Sequence, residues 1–333
     1  MQSMVRASTI HGYFDVARSL GLNPYELVQE VGLDAVALAN PNDRISADGA
    51  CRLLEATAEK ARCATLGLLI AQTRQQFGSG VVNILLAHKR TLREVLLAAA
   101  QYRYLLNEAL GIYVETTGDT VTIREEIIAE PGTRTVQAIE LAVGLLARHA
   151  SALLGAHWKP HSVHFTHASP PSPTFHRRFF GCPIMFDSDF NGFVCAVADL
   201  DYPNPNADPV LVRYAESLAD PLNDAAADSI ALEVRKTIYL LLPLSQASIE
   251  LVARQQNLTV RTLQRMLDSA GYRFSGIVEE VRRDLAVRYL LNPRYPIGRV
   301  AALLGYTNQG AFTVWFQKRF GTTPRDWRGQ HQK

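Results

Sequence analysis

Arg261, Gln264 and Arg265 are the side chains whose types and spacing could do chemistry on a nucleic acid. A guanidinium can bridge O6 and N7 of guanine, and a primary amide can do the same for N6 and N7 of adenine. Separations of three and four residues put the three on one face of a helix. The surrounding sequence supplies that helix. Leu263, Met266, Leu267 and Ala270 recur at helical spacing and predict a buried stripe, opposite a face of Arg261, Gln264, Arg265 and Asp268. Thr259 is placed to cap its start, and Gly271 to end it. Upstream, Ser248 is placed to cap a shorter helix with Ile249, Val252 and Ala253 on its apolar face, and Asn257-Leu258 breaks the pattern between the two. A short helix, a tight turn and a second helix with Arg and Gln outward is the pattern of a helix-turn-helix.

The pattern recurs between Ile297 and Phe320. Val300, Ala301 and Leu304 form the first apolar face, Gly305-Tyr306 the break, and Phe312, Trp315, Phe316 and Phe320 the second stripe. The outward face is Gly310, Thr313, Val314 and Gln317, with Gln309 at the helix start. Gln309 and Thr313 are the base-reading candidates here, weaker than those of the first unit. A long amphipathic helix, about Ser275 to Leu291, is predicted between the units. Arg282, Arg283, Lys318, Arg319 and Arg325 are candidate phosphate contacts, with an ordinary solvated charge as the competing reading of each.

The runs TVRTLQRML from Thr259, EEVRRDLAVRYLL from Glu279 and LGYTNQGAFTVWFQKRFGTTPRDWR from Leu304 resemble the DNA-binding domain of AraC/XylS-type transcription regulators. The resemblance implies a seven-helix domain that sets two recognition helices in successive major-groove segments, and it points to the same three outer-face residues of the first unit. Many members carry Arg where this chain has Val314. Members also carry a ligand-binding, dimerising N-terminal domain, best known as a jelly-roll barrel. This chain has too few predicted strands for a barrel and looks like the branch with a helical and α+β N-terminal domain. That likeness is diffuse and names no ligand or effector residue. It implies double-stranded operator DNA, a small-molecule effector, a second copy of the chain and RNA polymerase as partners.

Charge supports the division. The 333 residues suffice for about two domains. The net charge of +2 conceals +9 on residues 231–333 and −7 on residues 1–230. The basic part is the part with the helix-turn-helix units, as phosphate binding requires. No apolar run approaches the ~18 residues that span a bilayer, and the N-terminus lacks a hydrophobic signal core. The expectation is a cytoplasmic protein. Cys51, Cys63, Cys182 and Cys195 are scattered, without zinc spacing.

The N-terminal part reads as helices followed by a small antiparallel sheet. Residues 1–39 are predicted helical, and Ser46 caps a helix carrying Ala50, Leu53, Leu54, Ala58 and Ala61. Thr91 and Glu94 make a capping box. Ile112–Thr116 and Val121–Ile127 alternate like strands about Gly118-Asp119. Val136–Leu154 is a helix, and Ser162–His167 and Gly192–Val197 are strands with a loop at Pro170–Pro173. The Pro- and Asn-rich Asp201–Pro209 marks a boundary. The expected organisation is an effector and dimerisation domain at 1–205, a linker helix at 206–230 and an all-α double helix-turn-helix domain at 231–333.

No catalytic constellation is readable, and no cofactor is implied. Gly78-Ser79-Gly80 lacks a phosphate-loop continuation, and Cys182 has no readable base partner. His157, His161, His164 and His167 surround one predicted strand, but His164 and His167 would point to opposite faces, so no metal site is expected. The expected function is a sequence-specific transcription regulator and not an enzyme. The competing readings are an Ada-like repair enzyme fused to a DNA-binding domain, which needs a metal-held nucleophilic cysteine, and a nonspecific architectural DNA binder.

Overall fold

The computed structural model describes residues 3–74, 80–130, 132–155, 157–224 and 230–331. The Gly78 and Ser79 of the glycine pair noted above lie outside them. Two compact units, Met1–Ala227 and Asp228–Lys333, divide the chain.

In the first unit β1 (Met4–Arg6) and a 3-10 turn lead into α1 (Tyr13–Ser19), α2 (Pro24–Glu30) and α3 (Ala35–Ala39). After β2 (Arg44–Ser46) come α4 (Ala47–Lys60), α5 (Leu66–Thr73), α6 (Val81–His88), α7 (Leu92–Gln101) and α8 (Arg103–Leu106). The hairpin β3 (Leu110–Thr117) and β4 (Thr120–Ile127) is followed by α9 (Val136–Leu154), β5 (Ser162–His164), α10 (Thr174–Phe180), β6 (Ile184–Met185), β7 (Asn191–Ala196), α11 (Val197–Asp201) and α12 (Pro209–Asp224). The main sheet runs β3-β4-β7-β5-β6. All its pairings are antiparallel except β5 with β6. That parallel edge, the helix α10 that follows the predicted Pro170–Pro173 loop and the β1–β2 pair were not read from the sequence. They depend on which distant segments meet.

Alternation puts Val121, Ile123, Glu125 and Ile127 of β4 on one buried face. Helix α9 packs on this sheet and crosses α5 closely. Gly67 makes the crossing possible, because a Cβ there would lie 2.2 Å from the carbonyl oxygen of Gln137. The buried Gln137 locks the approach. Its Oε1 accepts from Gly67 N at 3.0 Å, its Nε2 donates to Ala64 O at 3.2 Å, and its own N–H donates to Glu55 at 2.7 Å.

The predicted caps form at Ser46, with Oγ accepting from Gly49 N, and at Thr91, with Oγ1 accepting from Glu94 N. Glu94 closes its half of the latter on the N–H of Arg90 instead of Thr91. The expected linker helix is α12, and it is not a free connector. Ala215 and Ala219, one turn apart and buried, let it lie along α6. Tyr102 Oη donates to Asp220 at 2.6 Å, and Lys89 pairs with Glu216 at 2.8 Å.

The second unit holds seven helices among its described residues: α13 (Ile230–Leu241), α14 (Ile249–Gln255), α15 (Val260–Ser269), α16 (Phe274–Leu291), α17 (Ile297–Leu303), α18 (Gln309–Phe320) and α19 (Pro324–His331). Helix α16 buries Ile277, Val281, Leu285, Ala286, Tyr289 and Leu290 against α13, α17 and α19. The two helix-turn-helix breaks share one backbone solution. Asn257 (φ 54°) and Gly305 (φ 78°) take the left-handed conformation, and the next N–H closes on a carbonyl five residues back, Leu258 to Ala253 and Tyr306 to Ala301.

The Gly67 contact is backbone against backbone, so no rotamer change can relieve it. Gly67→Ala should destabilise the first unit by about 1–3 kcal/mol, seen as a lower urea midpoint for the far-ultraviolet transition. An unchanged midpoint would contradict the packing described.

Candidate nucleic-acid interface and ligand cavity

Helix α15 is held by few contacts. Thr259 Oγ1 accepts from Thr262 N at 3.1 Å and starts it. Leu263 and Leu267 are the two side chains it buries. The expected four-residue stripe is therefore narrower, because Met266 is 39% exposed and Ala270 is exposed. The physical reason is that α15 packs mainly against α13 and α14 and leaves its outer side to solvent. Arg261, Gln264 and Arg265 are all exposed, and among the described residues none has a hydrogen-bond or ion-pair partner. Three unspent hydrogen-bonding side chains on a helix held by two leucines are free to meet an external ligand.

Helix α18 is anchored differently. Phe312 and Phe316 are fully buried, with Tyr306, Trp315, Phe320 and Trp327 packed around them at ring separations of 4.1 to 6.4 Å. Asn308, whose Oδ1 accepts from Ala311 N at 2.8 Å, caps it. Gln309 and Gln317 are exposed, and Val314 is 70% exposed. Thr313 is half-buried, and its hydroxyl donates to the Gln309 carbonyl at 2.9 Å. Its proton is thus used inside the helix, leaving only acceptor capacity for a base.

The predicted phosphate contacts fall into two groups. Lys318 and Arg325 are exposed with no partner among the described residues, and Arg283 reaches only Asp284 at 3.7 Å. Arg282 and Arg319 are not free. Arg282 Nε donates to Leu304 O at 3.2 Å, its Nη1 to Glu279 at 3.3 Å, and its guanidinium lies 5.2 Å from the Tyr306 ring centre. Arg319 Nε donates to the same Glu279 at 2.9 Å, as does the Trp315 indole N–H. Both arginines therefore fasten α16 to the second helix-turn-helix. Arg254 and Arg273, which flank the first unit, are exposed and unpartnered among the described residues. The sequence showed them only as two more surface cations.

The first unit contains a cavity of about 770 Å³ between α4, α6, α7, α9 and the β3–β4 hairpin. Its wall is mainly apolar, with Leu54, Leu86, Ile127, Leu141 and Leu145 among the lining residues. Its lining includes five ionisable groups, Arg6, Cys51, Arg74, Glu125 and His149. Arg74 donates to Thr9 O at 3.1 Å, and burial lowers its guanidinium to about 10, so it stays charged. Burial, then Arg74 and Arg148, push His149 down to about 3, which keeps the imidazole neutral. Glu125, 2% exposed, has no partner among the described residues, and its Oε2 is fully buried. Burial alone raises its carboxyl from 4.5 to about 8.

The predicted histidine group does not converge. His164 sits between Ser162 and Ser188, 2.9 Å from each, and stacks on Phe190. His167 turns instead toward Glu140, which His176 Nε2 approaches at 2.7 Å. No group of three His, Cys, Asp or Glu among the described residues is arranged to hold a metal.

Comparison with known proteins decides the family. Residues 21–204 match the arabinose-binding domain of AraC transcription regulators, and residues 252–330 match a helix-turn-helix domain model. The chain is 30% identical to the HTH-type transcriptional regulator VirS of Mycobacterium tuberculosis over 98% of this chain and 96% of that one. The chain belongs to the AraC family of transcription regulators. The ornithine utilization regulator of Pseudomonas aeruginosa is 22% identical, with the same 98% and 96% coverage. The crystal structure of the transcriptional regulator CdpR from P. aeruginosa aligns over 96% of both chains at 21% identity, with a TM-score of 0.47.

This AraC-family regulator is thus a DNA-binding protein with an N-terminal effector domain of α+β type and an all-α helix-turn-helix domain. No helix among its described residues is long and apolar enough to cross a membrane. No residue of the cavity wall was singled out from the sequence; the available signal was an acid in the apolar alternation Val121-x-Ile123-x-Glu125-x-Ile127.

A buried, raised carboxyl makes stability depend on pH. Between pH 4.5 and about 8 the folded chain holds a proton on Glu125 that the unfolded chain has released. Stability from this group is full below that window and is lost as pH rises through it, by about 1.4 kcal/mol per pH unit. The cavity's other ionisable groups, Arg6, Cys51, Arg74 and His149, do not contribute to the shift. Glu125→Gln cannot ionise, so its unfolding free energy should gain on the parent between pH 5 and 8. Parallel pH profiles for the two proteins would refute this assignment.

Proposed function

We propose that the regulator reads its operator chiefly through Arg261, Gln264 and Arg265. The carrying observation is that these three side chains stand exposed and unspent on a capped helix of a helix-turn-helix. Arg265 and Arg261 suit guanine and Gln264 suits adenine. Gln309 and the Thr313 oxygen supply a thinner second reading face, and Val314 offers apolar contact with a thymine methyl. Arg283, Lys318 and Arg325, joined by Arg254 and Arg273, are the phosphate contacts. Arg282 and Arg319 act by fastening the second helix-turn-helix to α16. Two recognition helices on one domain reach major-groove segments about one helical turn, ~34 Å, apart on one DNA face.

The 770 Å³ cavity is the effector site. An effector controls DNA binding only by favouring one arrangement of the protein over another. Exposed Val210, Leu211, Tyr214 and Leu218 on α12 form an apolar strip suited to a second copy of the chain. RNA polymerase is the further partner of a regulator that activates. The protein acts in the cytoplasm, where its DNA lies, and is not an enzyme.

Two measurements test this reading. Operator affinity should fall with salt at a log–log slope of about −5, as expected for roughly five or six neutralised phosphates. A flat response between ~50 and 200 mM salt would exclude phosphate-led binding. Gln264→Ala and Arg265→Ala should each weaken operator binding by about 1–3 kcal/mol and relax preference at individual base pairs. Val314→Ala should cost much less, and the half-site under α15 should be the better defined in a base-by-base substitution series. Equal definition of both halves, with Arg265→Ala silent, would put the reading face elsewhere.

A further inference from the structure

Assigning the cavity to the effector leaves the effector's chemistry open, and the unspent acid in its wall bears on it. Resting on that assignment, we infer that the cavity takes a hydrophobic organic cation, an amine whose ammonium group pairs with Glu125 while its hydrocarbon body fills the apolar volume.

The strand fixes the acid in place. Glu125 shares the buried face of β4 with Val121, Ile123 and Ile127, and a register slip that freed it would expose all of them. Among the described residues no cation pairs with it. Arg74 is the charged group of the cavity that is most deeply placed, yet burial alone accounts for the state of Glu125. His149 is neutral. A buried carboxyl without a partner costs stability, and a ligand that brings the missing charge removes the cost by forming a charge-assisted hydrogen bond. The volume, about 770 Å³, is that of a drug-sized site, and its largely aliphatic wall favours an apolar body over a sugar or a polyanion. At neutral pH the empty site carries the protonated acid and the free amine carries its ammonium proton. Pairing of carboxylate with ammonium therefore releases one proton to solvent per ligand bound.

Octylamine, octanol and octanoate share one hydrocarbon body and differ in the headgroup. Calorimetric titration of the full chain at pH 7 should show octylamine binding at least about tenfold tighter than the other two, the margin expected of a buried charged hydrogen bond. Titrations in phosphate and in Tris should differ in heat by about one proton released per amine. Glu125→Gln, checked for folding by circular dichroism, should lose about tenfold or more in octylamine affinity and all of the proton release, while octanol binding changes less than about twofold. Octanol binding as tightly as octylamine overturns the inference, as does octanoate binding tightest, which would give the site to Arg74. Unchanged octylamine affinity in Glu125→Gln overturns it too, by placing the amine on the acidic surface, and so does the failure of all three to bind. The rank order on the unmodified protein decides even where the variant does not fold. Operator binding without probe is measured in parallel, so the DNA-reading role stands or falls separately.

Discussion

The buried face of α16 is the constraint on which the DNA-binding unit depends. One helix of eighteen residues, about 27 Å long, carries Ile277, Val281, Leu285, Ala286, Tyr289 and Leu290 into a core it shares with α13, α17 and α19. Helix α15 buries two leucines, and α17 buries Val300, Ala301 and Leu303. The second motif packs on α16 directly through α17, and the first packs on α13, which α16 also contacts. Glu279 fixes the second motif on α16 by accepting from Trp315 and Arg319, and Arg235 ties α13 to it through Glu280 and Asp284.

The same economy separates structural from functional cations. A guanidinium that already donates to a carbonyl and a carboxylate, as Arg282 does, has little left for a phosphate, whereas Arg265 has everything left. The asymmetry between α15, loosely anchored and polar, and α18, wedged by aromatic rings and presenting Val314, is a difference in how the two helices hold their outer faces.

The effector unit solves a different problem, that of keeping a large volume open inside a small domain. A well-packed core would close on 770 Å³ of space. Here the close α5–α9 crossing at Gly67, locked by Gln137, stiffens one wall. The five-stranded sheet stiffens the other, and α12 braces α6 through Ala215 and Ala219. Helices held this way cannot collapse inward without breaking buried hydrogen bonds. An acid retained in such a wall lowers the stability of the empty form, and occupancy can recover it.

Much was legible in the sequence because it is local. Helical and strand periods, the Ser248 and Thr259 caps, the Gly118-Asp119 hairpin, the bounds of α9 and the concentration of positive charge in residues 231–333 all follow from neighbours a few residues apart. Those local signals fixed the two-part architecture and the family. What only the tertiary structure decided depends on segments far apart in the chain. Arg319 meets its carboxylate forty residues upstream, so nothing near it announces that it is occupied. Met266 has a buried residue's spacing but lacks a neighbouring element to cover it. Strands β5 and β6 pair in parallel because α10 carries the chain across between them. The cavity is assembled from residues between Val5 and His149, and the acid at its wall looks in the sequence like one more glutamate. Periodicity reports which face a residue is on, and only the packed fold reports what that face meets.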